Sequence, residues 1–160
     1  MRRVGLYAVA IAAAVLLQST VVEFLSMAGA RPNLPLLLLV ALLLRLDVYE
    51  SLALGFLTGL LSDLTAGTPL GLGSLGYSLV AFVIRVGTRD WVQVNYQRML
   101  LVWAMGAVIF EGLANGILLL GAEVGLAGAL FRHIIPCVLY DVGFGMLVLA
   151  ALPQAWWRRL

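Results

Sequence analysis

Asp63 stands near the end of an apolar run that begins at Ser51, and its environment decides what the rest of the chain can build. A carboxylate in such a run has to be paired, hydrogen-bonded or turned toward protein. Gly55, Gly59 and Asp63 are spaced four apart, so on a helix they share one face. The two glycines on that face let a second backbone approach closely. The run breaks at Gly67 and Pro69, and a new apolar stretch opens at Gly71. Gly55, Gly59, Asp63, Gly67, Pro69 and Gly71 therefore predict a close-packing helix face, for a partner or for the chain itself, running into a tight hairpin corner.

Hydrophobic residues are 63% of the 160, and charged residues are 11%. Together with a strongly positive mean hydropathy, this is the composition of an all-α integral membrane protein. The apolar runs leave room for a single bundle over residues 1–160 and for no soluble domain. The alternating ten-residue segments of a membrane barrel are absent. Cys137 has no second thiol to pair with and reads as a small core residue. One His and one Cys cannot build a metal cluster, and the absence of lysine removes the phosphate-gripping glycine loop. No cofactor is expected.

Six helices are predicted at roughly 4–25, 34–45, 49–64, 71–86, 98–120 and 130–152. Two arginines precede the first run, and Ala28-Gly29-Ala30 resembles a cleavage site, but the run is longer than a signal peptide's, so a retained helix is expected. Pro32 and Pro35 mark a turn, with Pro35 in the first turn of the next helix. That second helix is short, about 16 Å against a hydrocarbon core of about 30 Å. Arg85, Arg89, Trp91 and Arg98 give the longest polar segment the look of a membrane-surface loop, cations at lipid phosphates and rings at headgroup level. It is too short a basic stretch for nucleic acid.

All ten basic residues are arginines. With six crossings and a cytoplasmic N-terminus, Arg2, Arg3, Arg45, Arg85, Arg89, Arg98, Arg158 and Arg159 fall inside, and Arg31 and Arg132 fall outside. Eight against two favours both ends cytoplasmic.

Measured along each helix from its cytoplasmic end, Gln18 lies about 21 Å deep, Asp63 about 21 Å, Glu111 about 20 Å and Asp141 about 18 Å. Four helices thus place polar groups in one layer, slightly outward of the midplane. Three carboxylates at one depth need cations, water or shared protons, and Arg132 and His133 are the nearest basic candidates. A hydrogen-bonded core, a site for a partner helix or small ligand, and a proton path all fit the pattern. An aspartyl protease dyad fits poorly, because Leu61-Ser62-Asp63 lacks the glycine-x-glycine-aspartate motif.

Pro32-Asn33-Leu34 before a leucine-rich helix, then Gly55-Phe56-x-x-Gly59-Leu60-Leu61-x-Asp63 and Gly67-x-Pro69-Leu70-Gly71, resembles the MreD family of bacterial rod shape-determining proteins. The resemblance is carried by roughly residues 31–85, and Glu111 and Asp141 belong to no motif of it. It implies a non-enzymatic, multi-pass scaffold of the bacterial inner membrane that serves cell elongation and peptidoglycan synthesis. The implied partners are MreC first, then MreB, RodA and a class B penicillin-binding protein, with membrane lipids around them. The family is also similar in architecture to the S-components of vitamin transporters. That likeness keeps a small-solute-binding membrane subunit as the alternative function.

Overall fold

The shortest described helix lies at the centre of the fold. The computed structural model describes residues 2–20, 32–67, 69–91, 95–119 and 135–151. These form six helices and, among the described residues, no strand: α1 Arg2–Thr20, α2 Leu34–Leu43, α3 Val48–Ala66, α4 Leu72–Gly87, α5 Tyr96–Leu119 and α6 Ile135–Ala151. The all-α expectation holds for the described residues. α2 has ten residues and is apolar on every side, which suits burial on every side. α1, α3, α4 and α5 all pack on it, and Leu36, Leu39, Val40 and Leu43 are fully buried. Trp103 of α5 donates its indole N–H to the Leu37 carbonyl at 3.1 Å, and its ring occupies the space above Gly145 of α6.

At its C-terminal end α2 closes through Arg45 N–H to Leu42 O and Leu46 N–H to Leu43 O. Leu46 O then accepts from the Arg85 guanidinium at the end of α4. Arg85, expected at the lipid surface, is half-buried and donates to this carbonyl in the turn that follows α2. α3 starts at once from Asp47, whose backbone N–H is met by the Glu50 carboxylate at 3.4 Å.

α3 and α4 make the most extensive helix pair. A Cβ at Gly59 would run into the Ser74 backbone, and one at Gly55 would meet Tyr77 O at 2.8 Å. The close-approach face seen in the sequence is thus occupied by the chain's own α4, and no room is left on it for a second protein. Between the two helices, Gly67 caps α3 at φ 65° and Gly71 opens α4 at φ 104°, backbone regions that suit glycine.

Turned away from the interior are large apolar side chains on five helices: Leu6 and Leu16 of α1, Phe56 and Leu64 of α3, Leu79 and Phe82 of α4, Leu101 and Val108 of α5, and Leu139 and Leu147 of α6. Among the described residues, α5 alone, over Tyr96–Gly116, meets the measure of a membrane-crossing helix by length and composition; α1, α2, α4 and α6 carry shorter apolar helices. The cleavage-site-like Ala28-Gly29-Ala30, Arg31, the Gly121–Gly128 link, Arg132, His133, Arg158 and Arg159 lie outside the described residues.

Candidate functional site

Two helix N-termini are held by side chains from elsewhere in the chain, and both border one cavity. A helix start leaves backbone N–H groups without intrahelical partners, and inside an apolar bundle these need an acceptor. At α4 the acceptor is Asp63, which is 3% exposed. Its Oδ1 takes Gly73 N–H at 2.8 Å, and its Oδ2 takes Gly71 N–H at 2.9 Å and Ser74 N–H at 3.3 Å. The carboxylate sits at the positive end of the α4 dipole, the favourable end for an anion.

At α2 the acceptors come from three places. Asn33 caps its own helix through Oδ1 to Leu36 N–H at 3.1 Å, Gln18 of α1 takes Leu34 N–H at 3.0 Å, and Asp141 of α6 takes Asn33 N–H at 2.6 Å. Tyr77 of α4 adds its hydroxyl, donating to Asn33 Oδ1 at 2.8 Å. Asp141 is 1% exposed, and its Oδ2 has no hydrogen-bond partner among the described residues. Side chains of α1, α4 and α6 therefore meet the start of α2 at Asn33 and Leu34.

Glu111 is placed differently. Its Oε2 accepts from Asn115 Nδ2 at 2.8 Å, one turn further along α5, and it serves no helix terminus. It faces a cavity of about 480 Å³, whose wall also carries Gln18, Asn33, Asp63, Tyr77 and Phe110. The Tyr77 and Phe110 rings lie 4.4 Å apart, tilted by 40°. Of the four residues expected in one polar layer, Gln18, Asp63 and Glu111 line this cavity, and Asp141 reaches its wall through Asn33.

Gly55 and Gly59 lie buried between α3 and α4, whereas Gly67, Pro69 and Gly71 form the exposed corner. Arg89 and Arg98 are exposed, and the Arg98 guanidinium lies 5.4 Å from the centre of the half-buried Trp91 ring. Sequence reasoning did not single out Asn33 as a cap or Tyr77 at all. The signal for Asn33 was present: an asparagine immediately before an apolar helix with proline in its first turn is a strong N-cap pattern. Nothing in the glycine-rich run around Tyr77 points to a phenol bonded across the bundle.

No curated protein and no solved structure matches this chain. A family profile described as rod shape-determining protein MreD matches residues 1–152, a span that takes in every described residue. With the Asp63 corner, the Asn33 turn and all six helices inside that match, the chain belongs to the MreD family of rod shape-determining membrane proteins.

Proposed function

We propose that this protein is a non-enzymatic scaffold of the cell-elongation machinery in the bacterial inner membrane. In this reading it crosses six times with both ends cytoplasmic and docks the spanning helix of MreC, and through it MreB, RodA and a class B penicillin-binding protein. The observation that carries the reading is the distribution of apolar surface. Five helices present large apolar side chains outward while their polar groups turn in, the arrangement a protein needs when its solvent is lipid. The arginines agree, since Arg45, Arg85, Arg89 and Arg98 gather where α2 and α4 end and α5 begins.

A docking helix has to use a face that the bundle leaves open. Gly55 and Gly59 are covered by α4, whereas an added Cβ at Gly112 of α5 or Gly143 of α6 meets nothing within 4 Å. Both positions are exposed and lie on the α5 and α6 pair. The test is recovery of MreC after mild detergent extraction from cells whose rod shape depends on this chain. Gly112→Leu and Gly143→Leu should lower recovery while the protein itself stays folded. Full recovery with both changes combined would rule out docking at these two positions.

The alternative, a small-solute-binding subunit like a transporter S-component, has the cavity beside Glu111 in its favour. A scaffold accounts for the covered α3 and α4 seam and the family membership without requiring any solute.

A further inference from the structure

The cavity wall carries two carboxylates, and they are not equivalent. Asp63 is committed: three backbone N–H groups and the α4 dipole answer its charge. Glu111 receives one neutral amide bond, from Asn115. Among the described residues that line the cavity there is no arginine, lysine or histidine. The other polar groups of the wall are largely spent on backbone: Gln18 Oε1 on Leu34, Asn33 Oδ1 on Leu36 and Tyr77, Ser19 on Leu16 O, and Thr65 on Leu61 O. What the cavity offers a visitor is one carboxylate without backbone donors, one aromatic pair, the neutral polar groups of Gln18, Asn33 and Ser62, and a mainly apolar wall.

Such a lining selects by charge. An anionic ligand would meet Glu111 with no cation among the described lining residues to balance it, at an effective dielectric well below that of water. A cation would be attracted by Glu111 and by the Tyr77 and Phe110 rings that line the cavity beside it. The volume, about 480 Å³, falls within the range of small-molecule sites. We propose that this cavity binds a small organic cation, with its ammonium head against Glu111 and the Tyr77 and Phe110 rings and its apolar body along Val15, Leu72 and Leu113. The inference rests on the cavity alone and stands whether or not the docking reading does.

Cys137 lines the same cavity and is the chain's one cysteine, so the intact protein carries its own reporter. The experiment measures Cys137 modification in the purified full chain by trimethylammonioethyl and sulfonatoethyl methanethiosulfonates, each rate divided by that reagent's rate with free cysteine. The cationic reagent should react about tenfold faster. Hexyltrimethylammonium should slow its reaction, and hexanoate should not. Glu111→Gln should bring the two normalised rates together. Ala114→Phe, which fills the cavity and keeps the carboxylate, should slow both reagents. Thermal melting of each variant identifies any that fails to fold, and the wild-type comparison needs neither. Equal rates, an anionic preference, a preference that survives in folded Glu111→Gln, or no reaction where the denatured chain labels fully would each overturn the proposal.

Discussion

Asp63 Oδ1 accepts the Gly73 backbone N–H at 2.8 Å, and it occupies the space that a Cβ on Gly73 would need. The two residues are matched: the carboxylate caps α4 only because the residue it caps has no side chain. This relationship joins the end of α3 to the start of α4 across the Gly67 to Gly71 corner, and it gives Asp63 a role inside the chain.

Asp63→Asn is expected to weaken the fold. The amide supplies one acceptor oxygen and turns an NH₂ group toward backbone donors that need an acceptor. The cost should be about 1–3 kcal/mol, and Asp63→Leu, which leaves all three N–H groups unmet, should cost more. Rod-shape complementation should fall in step with the amount of folded protein. Normal melting and abundance of Asp63→Asn with lost complementation would point instead to a charge read by a partner.

Gly59→Ala should be enough to disturb the protein, since even a methyl group meets the Ser74 backbone, which cannot swing away as a side chain can. Gly5→Ala on α1, where a Cβ meets nothing within 4 Å, is the matched control. Melting temperature and detergent-extracted yield should drop for the first and hold for the second. If both hold, the α3 and α4 seam has room for a methyl group at Gly59.

Much of this was legible in the residues. The corner was, because glycine, proline and a lone aspartate each have few reasons to stand where they do, and the close-approach face at Gly55 and Gly59 was, because small residues four apart have one geometry. What occupies that face was not legible, since a glycine stripe fits a helix of the same chain and a helix of another equally well. The short run at Leu34–Leu43 could be recognised as short, but not as central: uniform leucine carries no direction, and only packing assigns it an inside. The polar layer was measurable as a depth. Its use at the starts of α2 and α4 depends on pairs such as Gln18 with Leu34 and Asp141 with Asn33, which periodicity does not encode.

The crossing pattern is open to direct measurement. In a Cys137→Ser background, cysteines at Gly87 and Gly125 should react with an impermeant thiol reagent from opposite sides of the membrane, Gly87 from the cytoplasm. An added Cβ at Gly87 meets no neighbour, so the reporter there should not disturb α4. Labelling of both from the same side would remove one crossing and overturn the arginine-based orientation.

Asp141 separates hydrogen bonding from charge. Among the described residues Asn33 N–H has no other acceptor, so Asp141 Oδ1 is needed, and Oδ2 is buried without a partner. Asp141→Asn keeps the first atom and replaces the second with an uncharged amide group of the same size, so it should leave stability within about 1 kcal/mol of the parent. Asp141→Leu has the same reach with no acceptor and should cost about 1–3 kcal/mol. Tyr77→Phe, which removes a donor to the same Asn33 side chain, should cost less than the leucine variant because Asn33 Oδ1 keeps its bond to Leu36. Combining Tyr77→Phe with Asp141→Leu should give less than the sum of the two losses, since both act through one residue. Thermal unfolding of the four proteins in one detergent measures all of this, and a destabilised Asp141→Asn beside a tolerated Asp141→Leu would mean that the charge, not the bond to Asn33, is what the bundle requires.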